Sequence, residues 1–128
     1  MRNSIYLAGG FRGEWQEHVI KELGVNFTIY NPKKHELESV QMYTAWDLYH
    51  VEKCDILLGY MSSDNPSGYG LAMEIGFAKA KNKLIILVDE RSKNDSNFKK
   101  YFAICHESSN LIFHNIDEAI IYLKQFIQ

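Results

Sequence analysis

Two carboxylates are placed where they could do chemistry. Glu74 belongs to the run Gly68-Tyr69-Gly70-Leu71-Ala72-Met73-Glu74-Ile75-Gly76-Phe77-Ala78. Leu71, Ile75 and Ala78 recur at helical spacing, so Glu74 borders the buried face of that helix one turn in. A carboxylate there points toward the crevice beyond the sheet, among small and apolar neighbours. The helix N-terminus favours its ionised form, whereas burial favours the protonated one. From the residues alone it is either a reactive group or an ordinary acidic residue satisfying the helix dipole. Gly68, Gly70 and Gly76 permit close approach of a ligand or a strand and add to the first reading. Asp47 lies on the preceding helix, which can present it to solvent or to the pocket; alone, a solvated helix charge is the simpler reading. Asp55 starts a strand at the opposite end of the sheet, where a structural role is expected. Two carboxylates flanking a glycosidic bond are the minimum equipment for glycosyl transfer. One attacks the anomeric carbon and the other handles the proton on the leaving group.

The elements that must position these groups alternate along the whole chain. Apolar strands are expected over 4–8, 27–30, 55–60, 84–88 and 110–113. Helices are expected over 14–23, 43–53, 70–81, 95–105 and 117–126. Residues 33–41 are polar and carry no clear period. Strands apolar throughout, each followed by a helix, imply a parallel sheet covered on both faces. The predicted fold is α/β, a flavodoxin-like doubly wound sheet of about five strands in the order 2-1-3-4-5, forming a single domain over 1–128. Ligands then bind at the carboxyl ends of the strands, in the crevice between the loops after strands one and three.

Those loops exclude several chemistries. Gly9-Gly10-Phe11-Arg12-Gly13 is not G-x-G-x-x-G, and the second strand ends in Asn31-Pro32 rather than an acidic residue for a ribose, which argues against a dinucleotide site. There is no G-x-x-x-x-G-K-[ST]. A phosphoacceptor regulator would need acidic residues after the first strand and an Asp ending the third, where Gly9-Gly10 and Tyr60-Met61 stand. His18, His35, His50, His106 and His114 are scattered, and Cys54 and Cys105 form no C-x-x-C pair. No metal site and no cofactor are therefore expected.

Composition narrows the class further. The 128 residues are 46% hydrophobic and 23% charged, with a formal charge of −2. That is a globular balance with no basic block for a nucleic acid polymer. No run is long enough to span a bilayer, and the start of the chain does not read as a signal peptide. With two cysteines and no disulfide framework, a reduced cytoplasmic protein is expected.

Three blocks give the chain a resemblance to a known family: Ile5-Tyr6-Leu7-Ala8-Gly9-Gly10, the stretch from Asp47 to Asp55-Ile56-Leu57-Leu58, and the glycine-rich run carrying Glu74, with Lys83 leading into the fourth strand. The chain resembles the nucleoside 2-deoxyribosyltransferases and their sister 2′-deoxynucleoside 5′-phosphate N-hydrolases over roughly residues 4–88. The resemblance implies a retaining double displacement in which Glu74 is the nucleophile and forms a glycosyl-enzyme intermediate. It implies that Asp47 binds or protonates the leaving base and that the Tyr6 hydroxyl positions Glu74; apart from the resemblance, Tyr6 reads as a core aromatic. It also implies a homo-oligomer whose pocket is shared between subunits, with Asn97 as the nearest match to a residue lent by a neighbour.

The pattern departs from the transferases in one place. They carry an acidic residue six positions before the nucleophile to bind sugar hydroxyls, and Gly68 stands there, with Ser67 beside it. The hydrolases use a Ser there and an Arg in the first loop to cradle a 5′-phosphate, so Ser67 and Arg12 are candidates for that role. Arg12 reads equally well as a solvated surface charge. Gly9, Gly10 and Phe11 in the first loop, Trp46, and Tyr69 and Gly70 beside Glu74 complete the candidate binding residues. Phe11, Trp46 and Tyr69 are suited to stacking on a base. Three functions fit: deoxyribosyl transfer between nucleobases, hydrolysis of a deoxynucleotide's N-glycosidic bond, and nucleotide binding without catalysis. The small-molecule partners are nucleosides or nucleotides and free bases.

Overall fold

The computed structural model describes residues 2–64 and 68–127. Five parallel strands, β1 (Ser4–Gly9), β2 (Thr28–Tyr30), β3 (Ile56–Met61), β4 (Leu84–Asp89) and β5 (Leu111–Phe113), form one sheet in the order β2-β1-β3-β4-β5. This is the doubly wound α/β arrangement expected from the sequence. Strand order reverses between β1 and β3, which pair from Ile5 with Ile56 through Gly9 with Tyr60.

Six helices cover the sheet: α1 (Trp15–Leu23), α2 (Val40–Lys53), α3 (Tyr69–Ala80), α4 (Ser96–Tyr101), α5 (Ala103–Ser108) and α6 (Ile116–Lys124). Side chains alternate across a strand, and the two faces sort accordingly. Ile5, Leu7, Leu58 and Val88 pack with Val19 and Leu23 of α1 and Ile120 and Leu123 of α6. Tyr6, Ala8, Leu57 and Leu87 pack with Val51 of α2, Leu71, Ile75 and Ala78 of α3, and Phe98 and Cys105 of α4 and α5. Burying both faces supplies most of the folding drive. The same alternation sends the Tyr6 side chain toward α3. Among the described residues no helix is long and apolar enough to cross a membrane.

Three local features differ from the sequence expectation. In the unassigned 33–41 stretch, Asn31 Oδ1 accepts from Lys33 N and caps one 3-10 turn, Pro32–Lys34. Ser39 then caps α2, which starts at Val40, ahead of the expected 43, because a serine cap outweighs the missing apolar period. The single helix expected over 95–105 is two, because the chain leaves helical geometry at Phe102. That break seats the Phe102 ring against Phe98, with centroids 4.5 Å apart, and turns α5 onto α3. Gly9 ends β1 with φ +150°, and a Cβ there would stand 2.7 Å from the Tyr60 carbonyl oxygen. No other residue type fits that turn without strain.

At the amino end of the sheet, Asp55 Oδ2 accepts from Ser4 N (2.8 Å) and Ser4 Oγ (3.1 Å), while Asp55 N donates to Ser4 Oγ (3.0 Å). This clip joins the first residue of β1 to the entry of β3, far from Glu74. We expect Asp55→Ala to lower stability by about 1–2 kcal/mol, read as a lower urea midpoint with an unchanged m-value. An unaltered midpoint would show that the clip contributes nothing.

Candidate active site

A cavity of about 220 Å³ opens at the carboxyl ends of β1 and β3. Gly9, Gly10 and Phe11 supply one wall, Gly68, Tyr69, Gly70 and Leu71 the second, and Pro32 a third; Asp47 and Glu74 face into it. The described side chains around it are therefore neutral or acidic.

Glu74 is 8% exposed because Leu71, Ile75 and Ala78 pull its side of α3 onto the sheet. The fully buried Tyr6 donates its hydroxyl to Glu74 Oε2 at 2.5 Å. Burial pushes Glu74 up to about 7; the Tyr6 hydrogen bond works against that rise and the Asp47 charge adds to it. Burial, and then the charge and hydrogen bond of Glu74, hold the Tyr6 hydroxyl protonated far above the usual phenol range. Tyr6 is thus a fixed donor.

Asp47 occupies the middle of α2, a helix that buries only Val51. Its side chain is 24% exposed, and burial raises its pKa, opposed first by His35. His35 Nε2 lies 3.4 Å from Asp47 Oδ1. Trp46 sits beside this pair, edge-on to His35 (centroids 4.8 Å) and stacked on His50 (3.9 Å).

The first loop is held from behind: the Gly10 carbonyl accepts from Trp15 Nε1 (2.9 Å) and Gln16 Nε2 (3.0 Å). Lys33 Nζ donates to the Gly13 carbonyl at 3.0 Å and pairs with Glu17 at 2.9 Å. The cavity wall is therefore fixed before any ligand arrives.

The structure brings Tyr6, Glu74, Asp47, Gly9, Gly10, Phe11, Gly68, Tyr69 and Gly70 to one place. Trp46 does not line the cavity and instead backs Asp47 through the histidines. Arg12 is exposed and donates from Nη1 to the Asp64 carbonyl at 3.4 Å, outside the cavity. Asn97 is exposed on α4 and lines a different groove, with Tyr101 and Phe102. Ser67 lies outside the described residues. Gly76 has open space where a side chain would stand, so nothing approaches it closely. His35 is the residue that sequence reasoning missed. In the sequence it stands out only as a possible metal ligand, although it follows the Asn31-Pro32 turn at the ligand-binding edge of the sheet.

A family model described as nucleoside 2-deoxyribosyltransferase like matches residues 2–92. Among solved structures, a 2-deoxyribosyltransferase from Bacillus psychrosaccharolyticus is 23% identical with TM-score 0.68, covering 91% of this chain and 90% of that one. A CMP N-glycosidase from Clostridium botulinum is 21% identical with TM-score 0.68, covering 98% and 100%. A conserved protein from Enterococcus faecalis V583 is 17% identical with TM-score 0.70, covering 99% and 100%. At these identities the likeness is one of fold. No curated protein sequence matches this chain.

Burial of Glu74 has a consequence for stability. Its folded pKa of about 7 stands above the ordinary 4.5, so the unfolded chain ionises first as pH rises. Whatever stability the protonated form confers is intact below about 4.5 and lost as pH climbs through about 7. Glu74→Gln should therefore be more stable than wild type at about pH 8, by something on the order of 1–3 kcal/mol, with the gap closing near pH 4. Urea unfolding at both pH values measures this; a variant less stable at the higher pH would mean that the carboxylate is not penalised.

Proposed function

The chain belongs to the nucleoside 2-deoxyribosyltransferase-like family, and from that premise we propose that it cleaves the N-glycosidic bond of a 2′-deoxynucleoside and transfers the deoxyribosyl group to another nucleobase. The observation that carries this reading is the Tyr6–Glu74 hydrogen bond inside a cavity that Asp47 also faces. Tyr6 holds Oε2, leaving Oε1 to attack the anomeric carbon. As the C1′–N bond breaks, its electron pair goes to the base, which takes a proton from Asp47, and an ester forms between C1′ and Glu74. A nitrogen of the incoming base then attacks C1′, the ester bond breaks, Glu74 leaves as a carboxylate, and the acceptor's proton returns to Asp47. His35 steadies the ionised form of Asp47 between the two steps, and its contact at 3.4 Å supports that role.

The neutral and acidic walls of the cavity support an uncharged nucleoside over a nucleotide, because a 5′-phosphate beside two carboxylates is repelled. One observation keeps a second reading: Arg12 directly follows Phe11, a wall residue, and the Clostridium botulinum neighbour is named as a CMP N-glycosidase. In that reading Arg12 turns from Asp64 to a phosphate, with Ser67, and water resolves the intermediate.

The exposed Tyr69, Met73, Tyr101 and Ile104 on α3, α4 and α5 support a homo-oligomer in which Asn97 serves a neighbour's pocket. Cys54 and Cys105, free and buried, fit a cytoplasmic setting.

Chromatography of deoxynucleosides and deoxynucleoside 5′-monophosphates, incubated with and without a free acceptor base, tests the assignment. A new nucleoside formed only with acceptor is the expected result. Free base released from a monophosphate without acceptor would replace it with the hydrolase reading, and inert panels of both kinds would defeat catalysis altogether. Glu74→Ala should abolish whichever turnover is seen.

The pH profile adds a separate check. Glu74 attacks as the anion while Asp47 gives up a proton, so kcat/KM should be bell-shaped, with one limb near 7 set by Glu74. Tyr6→Phe removes the hydrogen bond that lowers the Glu74 pKa, and that limb should move upward by roughly one pH unit. An unmoved limb would disconnect Tyr6 from the nucleophile.

A further inference from the structure

A second and larger crevice, of about 850 Å³, opens at the carboxyl ends of β4 and β5. It shares no lining residue with the Glu74 cavity. Ile112 of β5 contributes an apolar patch, and Lys93, Lys99, His106 and His114 contribute nitrogens. Lys93, Lys99 and His114 have no ion-pair partner among the described residues. In a chain of net charge −2 this is a local concentration of uncompensated donors.

The two carboxylates that also line the crevice are already engaged. Asp89 is 1% exposed and accepts from Arg91 N (2.9 Å), Ser92 N (3.0 Å), Ser92 Oγ and His106 Nε2 (2.6 Å). Asp95 accepts from Phe98 N at 3.0 Å and pairs with Arg91 Nε at 3.1 Å. Those bonds tie the 89–95 segment to α4 and α5 and fix the crevice wall. They also commit His106 Nε2 to Asp89, leaving Nδ1 as the free ring nitrogen.

We propose that this crevice is a second binding site, separate from the Glu74 cavity, that takes the phosphate group of a small phosphorylated molecule between Lys93, Lys99 and the imidazole of His114. Two ammonium groups without ion-pair partners, beside carboxylates already held by their own donors, suit the charge and the several acceptor oxygens of a phosphate. The crevice is large enough for a nucleotide, and Ile112 offers its organic part an apolar contact. The site stands whether or not Glu74 proves catalytic.

The test is a titration of the ¹⁵N-labelled chain with inorganic pyrophosphate, followed by amide shifts, beside sodium chloride at matched ionic strength. Saturable shifts over residues 89–99, 106 and 112–114 are expected. The exposed double variant Lys93→Ala/Lys99→Ala should keep a folded spectrum and turnover while weakening pyrophosphate by about tenfold or more. A deoxynucleoside monophosphate, added to Glu74→Gln protein so that it stays intact, separates the sources. Displacement of pyrophosphate identifies a nucleotide as occupant, and its failure identifies inorganic phosphates. Shifts that never saturate, that sodium chloride reproduces, or that survive unchanged in the double variant would overturn the site.

Discussion

The hydrogen bond from Tyr6 to Glu74 is the interaction around which the rest of this molecule is arranged. A carboxylate that is 8% exposed is costly unless a donor meets it. The donor comes from the second of the first strand's fully buried residues, on the face that alternation turns toward α3. For the two to meet, α3 must lie close over β1, and Leu71, Ile75 and Ala78 provide the apolar contact that holds it there. The turn after β1 must then clear both β3 and the cavity, which is why Gly9 stands where a Cβ would strike the Tyr60 carbonyl. Core packing, strand register and site geometry are here one constraint.

The surroundings of the two carboxylates differ, and the proposed chemistry uses that difference. Glu74 has one neutral donor, a buried setting and a negative neighbour, so it holds its proton up to about 7 and ionises reluctantly. A carboxylate that is poorly solvated and held at one oxygen is a better nucleophile than one bathed in water. Asp47 is more exposed, sits on a helix with little of its own buried, and has an imidazole within reach. Its proton can come and go with the help of His35.

Much of this was legible in the residues because the signals were local. Apolar runs marked β1, β3 and β4, and their continuous hydrophobicity implied parallel pairing. The position of Glu74 followed from three apolar residues at helical spacing. What could not be read depended on contacts distant in sequence. The break at Phe102 goes with its ring lying beside Gly68 and Tyr69 at the start of α3, contacts that no window over 95–105 contains. Arg12 is assigned by resemblance to a loop position, where resemblance constrains side-chain direction least, and Asn97 stands on α4, lining a different groove. His35 escaped because its partner Asp47 is reached only when the turn after β2 folds back onto α2.

The choice between an acceptor base and water, under the proposed chemistry, lies at the rim rather than at Glu74. The interior groups are locked: Tyr6 by the core, Glu74 by Tyr6, and the first loop by Trp15 and Gln16. The rim is not. Phe11 is 53% exposed and Tyr69 is 80% exposed, and each presents an aromatic face at the mouth of the cavity. Aromatic rings left in water at a cavity mouth gain most from stacking on a planar ligand or from being covered by a second protein surface. A glycosyl ester on Glu74 is attacked by whatever those rings admit, so a base stacked on Phe11 and Tyr69 excludes water from the bond it is about to break. Changes at the rim can therefore move such a protein between transfer and hydrolysis without altering either carboxylate. Solved structures named for a 2-deoxyribosyltransferase and for a CMP N-glycosidase share this fold.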